Sequence, residues 1–146
     1  VARVDRKRLE EALALPEQKM TRFAVQTRFD DLDIQGHINN VAVMALFQEA
    51  RVDFNRQSAL VYREAGLRMM AAGITVEYAG EMYHPEPTEI FTGVLVVGRS
   101  SFTLGQIIRQ CGRITAYCET TMVLADGHGP AALLPDMRLR LQSFAI

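Results

Sequence analysis

Asp33, Gln35, Gly36, His37, Asn39 and Asn40 fall within one eight-residue stretch, directly ahead of a run from Val41 to Arg51 whose apolar residues recur at helical spacing. The polar and turn-forming residues from Asp33 to His37 reverse the chain without adding to a core. Asn39 and Asn40 stand where a helix N-cap belongs. The first N–H groups of such a helix have no intrahelical acceptor and lie at the positive end of its dipole, so they form a site for negative charge. An aspartate held just ahead of that end is expected to be ionised at neutral pH, which suits it to act as a base. A carbonyl resting on the same N–H groups would be polarised, and the oxyanion formed on attack would be stabilised. A base and an oxyanion site in one short segment point to attack on an acyl group.

Each of these residues also has a plainer reading. Asp31, Asp33, Gln35 and Gly36 occupy positions 1, 3, 5 and 6 of a calcium loop, but Ala42 stands where that loop needs a bidentate glutamate, so no metal site is expected. Asp33 serves equally well as a turn or capping residue, the common role of aspartates in such loops. His37 reads as an acid or base, a turn residue or a ligand-positioning group. Neither His84 nor His128 stands at zinc-ligand spacing from it. Asn40 has capping as a sufficient role, and its backbone N–H, or that of Asn39 or Val41, is the candidate oxyanion donor. Asp30 and Asp31 read as solvated or paired with Arg28. Glu49 and Arg51, inside the helix, read as a structural ion pair or an interface contact. The chain has no Gly-x-Ser-x-Gly elbow and no Gly-x-Gly-x-x-Gly or Walker loop, so serine esterase, nucleotide-hydrolysing and hydride-transfer chemistries have no support.

The elements that must position this segment follow from periodicity. Residues 5–15 form a weak amphipathic helix closed by Pro16, an appended helix or flexible arm. Phe23, Val25, Thr27 and Phe29 alternate with polar neighbours, so a strand over 21–29 delivers the chain to Asp33. Val43, Met44, Phe47, Ala50 and Phe54 make one apolar stripe on a long helix from Asn40 to about Ala59. Residues 62–70 read as a short second helix or a loop, broken at Gly66. Strands are then expected over 74–83, 88–98, 101–110 and 114–125, with turns at Gly98-Arg99-Ser100 and Cys111-Gly112-Arg113 and short connections that imply antiparallel neighbours. Asp126 to Pro130 is a loop, and Pro135 to Phe144 a closing helix that starts at its proline. The order, one strand, a long helix and four strands, is an α+β arrangement.

At 146 residues and 49% hydrophobic, the chain can bury a core without staples. A formal net charge of −1 argues against nucleic-acid or membrane-surface binding. Cys111 and Cys118 have no metal-type or C-x-x-C spacing and are expected as free thiols, on neighbouring strands out of register, in a reducing compartment. The segment Val1 to Arg8 is too charged for a signal-peptide core, and no apolar run approaches a membrane span. A cytoplasmic protein is the expectation.

The pattern Asp33-x-x-Gly36-His37-x-Asn39-Asn40, at the mouth of a helix carrying Glu49-Ala50-Arg51, resembles the signature of the hotdog-fold acyl-CoA thioesterases, in the 4-hydroxybenzoyl-CoA thioesterase branch. The likeness extends over roughly 21–141. It implies a sheet of about five antiparallel strands around one long helix, a single domain over 21–146, and an N-terminal extension over 1–20. Asp33 falls on the family's catalytic aspartate, general base or nucleophile toward the thioester, and His37 on a residue near the acyl carbonyl. The substrate would be a thioester of coenzyme A or of an acyl-carrier protein, with no cofactor beyond the coenzyme A it carries. Arg99, Ser100 and Ser101 form the best local cluster for its phosphates, with a plain hairpin turn as the equal alternative. The family further implies a homodimer with sites at the interface, often paired again into tetramers. A hydroxyacyl-thioester dehydratase on the same fold and a non-catalytic acyl-thioester binding module remain as alternatives.

Overall fold

The computed structural model describes residues 6–60 and 66–146. The elements in chain order are α1 (Arg6–Leu13), β1 (Thr21–Val25), α2 (Asn40–Gln57), β2 (Arg68–Tyr78), β3 (Thr88–Val97), β4 (Ser101–Gln110), β5 (Arg113–Asp126), the short β6 (Gly129–Pro130) and α3 (Pro135–Ser143). All strands belong to one antiparallel sheet in the order β1-β3-β4-β5-β2, with β6 on β5. Strands β3, β4 and β5 form the expected meander. The Cys111-Gly112 turn between β4 and β5 has positive φ at both residues (49° and 72°), the primed geometry that matches strand twist. Cys111 therefore sits in the hairpin turn, and only Cys118 lies in a strand; both thiols are free.

Helix α2 lies across one face of this sheet, and two apolar clusters seat it. Val43, Leu46, Phe47 and Ala50 pack with Ile90, Ile108, Ala116 and Cys118 beneath the N-terminal half of the helix. Phe54 packs with Val94, Phe102, Leu104 and Leu124 near its C-terminal end, together with Met137 and Leu141 of α3. On the opposite face Ala12 and Leu15 lie against Phe91, Ile107 and Tyr117, so the N-terminal segment covers its own sheet. Among the described residues no helix is long and apolar enough to cross a membrane.

Three boundaries differ from the sequence reading. β1 ends at Val25, and a single 3-10 turn at Phe29–Asp31 replaces the expected last residues of the strand. Of the span 62–70, residues 62–65 lie outside the described residues, while Met69 and Met70 already belong to β2. β2 stops at Tyr78: the N–H groups of Ala79 and Gly80 both turn to the carbonyl of Thr115, and the chain leaves the sheet before Glu81. β2 is also an edge strand exposed along most of its length.

Candidate active site

The loop ahead of α2 is closed by its own backbone. Asp33 N–H donates to His37 O (2.8 Å), Gly36 N–H donates to Asp33 O (3.1 Å), and Gly36 takes φ +79°, a conformation open to glycine at little cost. Asp33 Oδ1 accepts from the N–H groups of Gln35 (2.9 Å) and His37 (3.2 Å). One carboxylate oxygen thus holds the turn, while among the described residues Oδ2 has no donor. Within a single chain this carboxylate is exposed.

The helix start is capped one residue earlier than Asn40. Asn39 is the N-cap, with extended φ/ψ, and its Oδ1 accepts from Ala42 N–H at 2.8 Å. Its own N–H and its Nδ2 both donate to Asp31 O. Asp31 is paired with Arg28, one of the two expected states, and is buried and not solvated: its carboxylate accepts from Arg28 N–H (2.8 Å) and Nη2 (3.2 Å). The backbone N–H of Asn39 is therefore committed. Among the described residues the N–H groups of Asn40 and Val41 have no acceptor, and these two remain as the anion-binding pair. Asn39→Ala removes both the cap and the link to Asp31. It is expected to destabilise by about 1–2 kcal/mol, lowering the melting temperature by roughly 2–8 °C. Asn40→Ala, which keeps the backbone N–H and removes a side chain with no described partner, should leave it nearly unchanged.

His37 has company that the sequence did not reveal. Its Nε2 lies 3.3 Å from Glu81 Oε2, and its ring meets Tyr83 edge-on, with centroids 5.4 Å apart. The Tyr83 hydroxyl donates to the same Glu81 oxygen at 2.8 Å, a bond that raises the phenol above its ordinary pKa. Buried Gln110 clamps this connection by accepting from Tyr83 N–H and donating to Tyr83 O, both at 2.9 Å. Ile38 N–H donates to Met82 O (2.9 Å) and ties the two loops together. No local pattern announces Glu81 and Tyr83 as neighbours of His37, which lies more than forty residues away in sequence.

An open cleft of about 370 Å³ at the helix start is lined by Arg28, Asp30, Asp31, Asn39, Asn40, Val41, Ala42 and Ala45. Asp33 and His37 do not line it. Arg99, Ser100 and Ser101 are not brought to the loop within one chain. Their turn joins the far ends of β3 and β4, about 30 Å along β3 from Thr88. The carbonyls of Arg99 and Ser100 there accept from Leu133 and Leu124 N–H. The Glu49–Arg51 pair does not form: residues two apart on a helix face different ways. Arg51 is instead buried and donates from Nη1 to Gln106 Oε1 (3.2 Å) and Thr120 Oγ1 (3.3 Å). Among the described residues no three of His, Cys, Asp or Glu are grouped as a metal site would require.

An antiparallel sheet curled around one long helix, with an acid–histidine loop feeding a capped helix start whose first N–H groups are free, is the hotdog fold. The chain belongs to the thioesterase-like superfamily, whose family model matches residues 27–141. It is similar to a predicted thioesterase of Bacillus stearothermophilus (24% identity, 87% of this chain and 97% of that one, TM-score 0.79). A thioesterase of Thermus thermophilus complexed with coenzyme A and Zn is 25% identical over 86% of this chain and 93% of its own, with a TM-score of 0.77. By sequence the chain also matches the uncharacterized protein YsmA of Bacillus subtilis (strain 168), 28% identical over 80 residues. That match spans 55% of this chain and about half, 54%, of YsmA.

Proposed function

We propose that the protein hydrolyses acyl-CoA thioesters to the free acid and coenzyme A. The observation that carries this reading is the pair of free N–H groups at Asn40 and Val41, preceded by a loop that holds Asp33 and His37 in fixed backbone geometry. The thioester oxygen would rest on those two N–H groups, where charge develops during attack. Asp33, with Oδ2 free, would take a proton from water, or attack directly to give a transient anhydride, and the thiolate would leave. His37, braced by Glu81 and Tyr83, would flank the carbonyl. No cofactor is required beyond the coenzyme A carried by the substrate, and acyl-CoA as substrate fits a cytoplasmic site of action. The complex of coenzyme A with the Thermus thermophilus relative supports the choice of thiol. The Arg99-Ser100-Ser101 turn is kept as the candidate for its phosphates, and Arg28 lines the cleft beside the helix start, paired with Asp31. Release of free thiol from a panel of acyl-CoAs tests the proposal. An enoyl product would identify a dehydratase instead, and binding without turnover a non-catalytic module.

The site is open on one side in a single chain, and a second copy is the natural cover. Edge strand β2 exposes Met70, Ile74 and Tyr78 at 50%, 41% and 41%, an unpaired apolar edge that isolated sheets avoid. Two copies pairing antiparallel through β2 would continue the sheet and satisfy the unpaired backbone groups of that edge. Thr75, exposed and near the middle of β2, would then approach its own copy across the two-fold. Thr75→Asp is expected to weaken dimerisation by roughly fivefold, from like charges meeting across strands. Light scattering over a dilution series reads this directly, and a wild type that stays monomeric at every concentration would remove the β2 interface.

A further inference from the structure

Between the two apolar clusters under α2 runs a buried polar row. Thr92 on β3, Gln106 on β4 and Thr120 on β5 all point at the helix, and Gln106 Nε2 donates to Thr92 Oγ1 (3.0 Å) and to Phe47 O (3.2 Å). Arg51 completes the row and is the only member with a charge. It is 8% exposed, and burial lowers its pKa from the ordinary value. Among the described residues no carboxylate lies within ion-pair distance of it, and its hydrogen bonds all leave from Nη1. A desolvated cation held only by neutral acceptors is costly and calls for an anion.

The rest of the guanidinium is not fully sealed from solvent. Among the described residues the single sealed side-chain nitrogen or oxygen without a partner is Arg109 Nε, so the unbonded nitrogens of Arg51 are not sealed. Beyond Thr120 lies edge strand β2. Residues paired across antiparallel strands share a face, so Ile74, Val76 and Tyr78, opposite Thr120, Cys118 and Ala116, present their side chains on the helix side of the sheet. Ile74 and Tyr78 are 41% exposed, so α2 does not cover them. Tyr78 marks the upper end of this strip, where its hydroxyl donates to Asn40 O at 3.4 Å. Along α2 the residues toward β2 are Asn40, half-buried Met44 and Arg51, at spacings of four and seven. Between α2 and β2 there is thus a partly exposed apolar strip, Met44, Val76 and Ile74, with the free N–H groups of Asn40 and Val41 toward one end and a fixed positive charge toward the other.

We infer that this strip seats the acyl chain with Arg51 as its distal specificity residue, and that the acyl groups it selects carry a second, ionised carboxylate at their far end. Eleven residues of helix separate Asn40 from Arg51, about 16 Å, and helical side chains lean toward the N-terminus, which leaves roughly 10–15 Å between carbonyl and guanidinium. The fitting substrate is the mono-thioester of a medium-length dicarboxylic acid, with methylenes against Met44, Val76 and Ile74. A terminal carboxylate would take two of the three N–H groups that remain on Nε and Nη2 of Arg51, in the paired geometry that guanidinium favours.

This inference rests on the hydrolase reading for turnover but is testable without it. Acyl-CoAs matched in length and ending in either carboxylate or methyl are compared by kcat/KM, and non-hydrolysable thioether analogues of the same pairs are compared by binding. The wild type is expected to prefer the carboxylate by roughly ten- to a hundredfold, only at lengths that reach Arg51 and not for short chains. Arg51→Lys should keep part of the preference, and Arg51→Met should abolish it while methyl-ended analogues still bind. Equal binding of both ends by the wild type, a preference for methyl, or a preference independent of length would overturn the inference, and needs no variant to fold. A carboxylate preference in binding with no cleavage of any thioester would leave Arg51 in place and remove the hydrolase.

Discussion

Asp33→Asn is expected to lower thioester turnover by about 10²–10⁴-fold, the range for loss of a positioned acid–base group, while the fold and substrate affinity stay close to wild type. The reason lies in how the two carboxylate oxygens divide their work. Oδ1 accepts from the N–H groups of Gln35 and His37, and an amide oxygen placed there accepts the same two bonds. The Gly36 turn and the seat of Asn39 over Asp31 therefore survive the change. Lost are the negative charge and the basicity of Oδ2, which a turn-forming role does not use. Thiol release should fall with KM nearly constant, alongside an unaltered far-ultraviolet circular dichroism spectrum and melting temperature. Asp33→Ala would lower both, since it also deletes the turn contacts. Wild-type rates for Asp33→Asn on every acyl-CoA would take Asp33 out of the chemistry and leave it a turn residue.

How much of this was legible in the sequence depends on where each partner sits. The β3–β4–β5 meander was readable because its strands are apolar and β-branched runs, buried on both faces for much of their length, and because Gly98 and Gly112 mark the turns between them. The Asn39–Asn40 helix start was readable to within one residue, since capping is local chemistry. β2 resisted: a strand exposed on most of its length shows no burial alternation, so Arg68 to Gly73 carried no strand signal. The alternation that does continue through Glu81, Met82 and Tyr83 misled for a different reason. Met82 is buried and its carbonyl receives Ile38 N–H, so its apolar character serves the signature loop and not the sheet.

The site shows the same division. Asp33, Gly36 and His37 are defined by contacts within five residues and could be found from their spacing. Glu81 beside His37 and Arg51 beneath Thr120 are brought together only by the crossover that sends the chain under the sheet from β1 to β2, and Gln110 reaches Tyr83 through the pairing of β3 with β4. Sequence could place Arg51 inside α2, but not tell which way it faced. The neighbouring Glu49 offered a partner on paper that helix geometry then denied.

Phe47→Ala is the change expected to cost most in stability, about 3–5 kcal/mol for a fully buried phenylalanine. Phe47 is 0% exposed in the cluster that seats the N-terminal half of α2, and its carbonyl accepts Gln106 Nε2 at the head of the buried polar row. Truncation leaves a cavity next to groups that need their hydrogen bonds, so collapse of the helix onto the sheet is opposed by the Gln106 and Arg51 contacts. The urea midpoint should fall at nearly constant m-value. Turnover should fall as well, because the Asn40 and Val41 N–H groups are aimed by the part of the helix that Phe47 holds down. Phe47→Leu fills most of the volume and should recover the larger part of both. Val52→Ala, on the exposed side of the same helix, should change neither by more than about 0.5 kcal/mol. A loss under about 1 kcal/mol for Phe47→Ala would mean that this half of α2 is held by something other than its apolar face, and the aim of the helix start would then have to come from the Asn39–Asp31 link alone.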